Sequence, residues 1–224
     1  VGTTDDPASS LEWHKKIAGD PSFQTVVAPS FRPDRYLNIE KQGFAGCIAE
    51  LAESAQAPVG GIDQLEQALA SRMWVFAGAG CRAADHGLDT IPFAPATRDE
   101  IDAILQKGLR GQSVSPMEAD AFKTHLLLFC AARYSELGWA MQLHYNCKRA
   151  PNSAMLAALG PDTGFDSMNN ANCTGALYAL LDALYAADCL PRTVLYSLNS
   201  GENELLGTVI GAFQGPEVPG KLQH

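Results

Sequence analysis

The chain has 224 residues, 46% of them hydrophobic and 18% charged, with a formal net charge of −9. That is enough apolar material for one well-buried domain and too patterned for a disordered tail or a coiled coil. The acidic balance, with no Lys/Arg run, argues against nucleic acid and anionic membranes as partners, and no stretch reaches the roughly 18 apolar residues of a transmembrane helix.

Strand-like and helix-like runs alternate from the first residue. "VGTT" (1–4) reads as a strand, followed by "SSLE" (9–12), a capping box with Ser9 as N-cap and Glu12 reaching back. "FQTVVAPSF" (23–31) is the second strand. Phe44, Ile48 and Leu51 share one helical face, as do Ile62, Leu65, Leu69, Met73 and Phe76. "CRAAD" (81–85) is the third strand, ending on the pair Asp85-His86. "TRDE" (97–100) is a second capping box, and "SPME" (115–118) a third, with Pro116 at the first helical position; that helix is predicted to stop at Gly138. "WAMQLHY" (139–145), "RTVLYSLN" (192–199) and "GKLQH" (220–224) complete six strands. The opening on Val1 and the strand-like last residues read as an internal segment of a longer protein.

Such alternation predicts a parallel sheet, covered on both faces, either doubly wound or closed as a (β/α)8 barrel. Neither GxGxxG nor GxxxxGK[ST] follows any strand, so no nucleotide fingerprint supports the open sheet. Four strands end in strongly polar residues: Asp5-Asp6, Arg32, Asp85-His86 and His144. In a barrel these ends converge on one face, where active sites form. The six cysteines (Cys47, Cys81, Cys130, Cys147, Cys173, Cys189) are widely spaced, lack a CxxC pair, and read as free thiols in a reducing cytosol.

In this order "TTDDP", "PSFRPD", "GCRAADHGLD", "WAMQLH", "LGPDTGFDS", "VLYSLN" and "NELLGTVIGAFQG" resemble the uronate isomerase (glucuronate/galacturonate isomerase) family of the amidohydrolase superfamily. The resemblance covers nearly the whole chain. It implies an α/β fold: residues 1–224 as the central part of a single (β/α)8 TIM barrel of amidohydrolase type, incomplete, with about six βα units and the first and last strands missing. It implies a cytoplasmic enzyme of sugar-acid catabolism that interconverts D-glucuronate with D-fructuronate and D-galacturonate with D-tagaturonate. The implied cofactor is a divalent metal, zinc by the usual assignment, whose main ligands (an HxH pair on the first strand, an Asp on the last) are not in this segment. The partner is a small hexuronate; a homo-oligomer stays open. Rival readings are a metal-dependent hydrolase of the same superfamily and a non-catalytic carbohydrate-binding remnant.

Three residues carry over by motif as catalytic. Arg32 is the arginine of the family's "RPD", Asp85 the aspartate of its "SDH" (here with Ala84 for the serine), and His144 the histidine that ends the fifth strand. The family's "IGALRNNN" is here "YNCKRAPN", keeping Arg149 and Asn152, and its "LNPRDNE" is "LNSGENE". A guanidinium suits a carboxylate or ene-diolate; its blander role is a salt bridge to Asp34. Asp85 is a proton shuttle or an acceptor, against a blander N-cap. His144 hydrogen-bonds substrate oxygens or metal-bound water, against a satisfied core histidine. His86 is expected to hydrogen-bond within its loop. Asp5, Asp6, Asp89, Asp162 and Asp166 are read as structural turn acids, and His14 and His125 as scaffold.

Overall fold

The computed structural model describes residues 1–216 and 218–224. In chain order the elements are β1 (Gly2–Asp5), α1 (Glu12–Ala18), β2 (Ala28–Phe31), α2 (Asp34–Leu37), α3 (Phe44–Ala55), α4 (Ile62–Gly78), β3 (Ala83–Gly87), α5 (Arg98–Leu109), α6 (Pro116–Leu137) and β4 (Ala140–Tyr145). Then follow β5 (Cys147–Lys148), α7 (Ser153–Leu159), β6 (Ser167–Met168), α8 (Thr174–Ala186), β7 (Arg192–Ser197), α9 (Asn203–Ala212) and β8 (Leu222–Gln223). Six strands form one parallel sheet in the order β1-β2-β3-β4-β7-β8, the wall of a βα barrel. Each neighbour follows its predecessor through at least one helix, the connection a parallel pair requires.

The six strands are those expected, with shifted ends. The second is the most changed: strand pairing covers only Ala28–Phe31, because its partner β1 begins at Gly2, opposite Ala28. A strand has no ladder beyond its neighbour's length, so residues 23–27 leave the sheet, and Phe23 and Val26 are exposed. The short antiparallel pair β5–β6 was not anticipated.

One face of the sheet packs on helices. Phe31 is fully buried and meets Phe76 edge-on at 5.1 Å between ring centroids, while Tyr134 stacks on Trp139 at 5.9 Å. The aromatic and aliphatic faces of α3, α4 and α6 supply the rest of this layer. The opposite face departs from the expectation of two fully covered faces. Along β4, Met141, Leu143 and Tyr145 are buried and alternate with half-exposed Gln142 and His144. That period of two is the signature of a wall with a dry side and a polar, inner side. Among the described residues, β1 and β8 each pair on one side only.

Two predicted caps hold. Thr97 and Ser115 each accept from the backbone N–H three residues on, with Glu100 and Glu118 closing the boxes. Gly138 ends α6 at φ 67°, in the left-handed region where glycine is unstrained. The box at Ser9 does not form. The helix starts at Glu12 behind Leu11, itself left-handed at φ 54°, and Ser9 Oγ accepts instead from Leu11 N–H. Arg72 of α4 explains the change: its guanidinium donates to the Pro7 and Ser9 carbonyls, both at 2.7 Å, and holds that stretch as a loop.

Candidate active site

Because all six strands run the same way, their C-terminal ends lie on one side, and alternation decides which side chains face inward. Arg32 follows β2; Asp85 and Gly87 lie on β3; His144 lies on β4 opposite Gly87; Tyr196 lies on β7 opposite His144. The structure brings Arg32, Asp85 and His144 together. Arg32 Nη1 is 3.2 Å from Asp85 Oδ2, and His144 Nδ1 is 2.7 Å from Asp85 Oδ1. The second contact is close without being a well-aligned hydrogen bond, since neither atom finds a partner in good angular geometry. Asp85 is only 7% exposed and is no N-cap; it lies inside β3 as a bridge between a guanidinium and an imidazole.

His144 is held on its face as well. Its ring stacks on Tyr196 with centroids 4.4 Å apart and planes 5° apart. Arg32 also makes the blander contact, from Nε to Asp34 Oδ2 at 2.8 Å. Burial disfavours its charge, but the Asp34 hydrogen bond and the charges of Asp34 and Asp85 outweigh that and raise its pKa.

Beside this trio lies a cleft lined by Arg32, Asp34, Gly87, Lys41 and Arg149. Arg149 donates from Nη1 to Asp166 at 2.8 Å, and Asp166 Oδ1 accepts from Ala150 N–H. Asp89 and Asp162 lie 3.9 and 3.8 Å from the same guanidinium. Three acids read as turn residues thus stand around Arg149 at the cleft rim. Asp6 is structural, accepting from Tyr36 Oη at 2.6 Å and from Ala8 N–H. Asp5 lies with Thr3 and His14 on the side facing α1. His125 pairs with Glu66 between helices at 2.7 Å.

His86 corrects an expectation. It does not bond within its loop: it is fully buried behind the cleft lining, and its Nε2 meets Tyr134 Oη of α6 at 3.3 Å. Burial pushes its pKa below the ordinary value of 6.5. On the cleft side its Nδ1 lies 3.9 Å from Asp34 Oδ1.

Among the described residues no group of three or more His, Cys, Asp or Glu side chains converges as a cation site. Asp85 and His144 supply a pair of donors, and protein zinc sites use three or four ligands. The side chains of this chain alone therefore do not fit a complete metal centre, and no step below passes through one.

Charged residues at strand ends can be read along the chain. Gly87, Asp34 and Tyr196 matter through lateral neighbours, which depend on register between strands.

The parallel βα wall carries its guanidinium–carboxylate–imidazole cluster at the C-terminal edge, the end at which βα barrels build their sites. A profile of the glucuronate isomerase family matches residues 1–224, and the chain belongs to that family. It is 47% identical over 224 residues to a uronate isomerase of Salmonella newport, covering all of this chain and 48% of that protein. The crystal structure of a uronate isomerase from Thermotoga maritima superposes with a TM-score of 0.89 at 27% identity, covering 95% of this chain and 47% of that one. A glucuronate isomerase from Caulobacter crescentus gives a TM-score of 0.82 at 26% identity, covering 92% and 43%. The chain spans about half the length of the curated relatives it matches. No helix among the described residues is long and apolar enough to cross a membrane.

Proposed function

We propose that the intact protein carrying this chain is a hexuronate aldose–ketose isomerase, converting D-glucuronate to D-fructuronate and D-galacturonate to D-tagaturonate in cytoplasmic sugar-acid catabolism. Residues 1–224 form the central part of a single (β/α)8 barrel domain in this reading. The observation that carries it is the contiguous Arg32–Asp85–His144 cluster at the C-terminal ends of three neighbouring strands, in a chain of this family.

The reaction moves a hydrogen between C2 and C1. It needs a group to move protons, stabilisation for the ene-diolate oxygens, and a clamp on the substrate carboxylate. Arg32 supplies a fixed positive charge for an anionic substrate oxygen. Arg149, which lines the same cleft, offers a second guanidinium in a chain whose net charge is negative, so attraction of an anion is local rather than global. Asp85 orients its two neighbours: facing Nδ1 of His144, it favours the tautomer with the proton there. Nε2 is then free to accept or return a proton at a substrate oxygen. Tyr196 holds the imidazole plane. The divalent ion implied by the resemblance would take its ligands from outside these residues and would supply polarisation of substrate oxygens.

The test is direct. Intact protein is incubated with each uronate and the ketose is followed by NMR. Formation of fructuronate or tagaturonate, abolished or strongly reduced by Asp85→Asn, is expected; no ketose from either sugar sinks the proposal.

A further inference from the structure

Arg32 is confined by two groups that the reaction scheme does not use. On one side Asp34 Oδ2 accepts from Arg32 Nε at 2.8 Å, and the same oxygen accepts from the Gly87 backbone N–H at 3.0 Å. One carboxylate oxygen therefore ties the residue after β2 to the end of β3. On the other side is Gly87 itself. A Cβ there would overlap Arg32 Nη2 and lie 3.1 Å from Asp34 Oδ2. Gly87 is not among the glycines with left-handed φ, so its backbone does not demand glycine. What demands it is the space taken by the guanidinium.

Asp34 is an unusual partner for a purely structural salt bridge. It is part-buried, and its Oδ1 has no hydrogen-bond partner, facing the equally unpartnered His86 Nδ1 at 3.9 Å. A buried polar atom left unpaired destabilises a fold, and such groups concentrate where function requires them. The outcome here is a guanidinium with Nε engaged by Asp34, Nη1 beside Asp85, and Nη2 donating no hydrogen bond among the described residues. An arginine held in this way enters a complex with its direction already set, and loses less freedom on binding.

We propose that Asp34 and Gly87 are positioning residues for Arg32: the carboxylate aims the guanidinium, and the missing side chain gives it room. This rests on the reading that Arg32 binds an anionic substrate oxygen. Each acts through Arg32.

The experiment measures kcat and KM of the intact protein on D-glucuronate for Arg32→Met, Asp34→Asn and Gly87→Ala, and for the last two combined with Arg32→Met. Each single variant is expected to lower kcat/KM about tenfold or more, the scale of one charged hydrogen bond. Asp34→Asn and Gly87→Ala should change the same parameter, KM or kcat, that Arg32→Met changes. In the Arg32→Met background both should cost nothing further, because the group they position is gone. A structural role would instead give losses that multiply, and multiplying losses overturn the proposal. So does unchanged kcat/KM in both single variants. Asp34→Glu, which keeps the charge, should recover part of the loss, and Gly87→Ala decides alone if the Asp34 variants fail to fold. An Arg32→Met protein with unchanged kcat/KM would instead remove the underlying reading of Arg32.

Discussion

Arg32 keeps its charge against burial because two carboxylates face it, and the same carboxylates fix where that charge points. Losing one charged hydrogen bond to an anion is worth roughly 1.5–3 kcal/mol, so Arg32→Met should lower kcat/KM on glucuronate about ten- to a hundredfold. Steady-state kinetics at equal folded concentration checks it, and an unchanged value contradicts it. His86 makes a second prediction at this scale. Burial lowers its folded pKa below the ordinary 6.5, with Asp34 and Asp85 opposing and Arg32 and His144 assisting. Below pH 6.5 the unfolded chain binds a proton that the folded chain refuses, so the His86 contribution is complete above that pH and is lost as pH falls toward the folded value. The melting temperature should drop on acidification through this window, and His86→Gln should flatten that dependence; parallel curves for the two proteins would refute it. The convergence of Arg32, Asp85 and His144 was legible because the ends of parallel strands share one side and the family motifs mark these positions. The orientation of His86 was not, since Asp85 and His86 are adjacent in sequence but project to opposite faces of β3.

The helices show where local signals suffice. Thr97 and Ser115 cap α5 and α6 as their sequences predict, because nothing distant competes for their backbone groups. Replacing either with alanine should destabilise by about 1 kcal/mol. Ser9 carries the same pattern and fails, because Arg72, far along the chain, claims the Ser9 carbonyl. A capping box is therefore readable only where tertiary contacts leave it alone. Gly108, inside α5, offers a sharper test. Alanine would gain roughly 1 kcal/mol in helix propensity. Its Cβ, however, would lie 2.7 Å from Ile39 Cγ1 and 3.1 Å from Phe44 Cδ1, both residues of the buried core. Overpacking costs roughly 1–3 kcal/mol, so the clash should outweigh the propensity. Thermal unfolding of Gly108→Ala should show a lower midpoint; a raised one would mean that Ile39 moves aside freely.

At the scale of the whole molecule, the alternation of strands and helices made the parallel order legible. Polar strand ends favoured a barrel over a doubly wound sheet. The exposure of the inner face was not foreseen, because the dry side alone gives these strands their apolar look. Gln142, His144 and Tyr196 stand on the inner side, while Phe31, Met141 and Leu143 are sealed under helices. Among the described residues, β1 and β8 each present an edge without a strand partner. Unpaired backbone N–H and C=O groups are satisfied by water when exposed, and they template pairing with other strands. These facts predict how residues 1–224 behave when expressed by themselves. The helical layer is well packed, so far-ultraviolet circular dichroism should report folded α/β structure. The open edges and the uncovered inner face should drive self-association, seen as a weight-average mass that rises with concentration in sedimentation equilibrium. Substituting lysine for Thr4, exposed on edge strand β1, should lower that association, since charge on an edge opposes strand addition. Arg32, Asp85 and His144 would all be present, yet turnover of glucuronate should be absent, because substrate would meet a site open to water on its far side. A monomeric 224-residue protein that isomerises glucuronate as fast as the intact protein would show that this wall is a whole active site, and that its two edges are no more than the ends of an ordinary sheet.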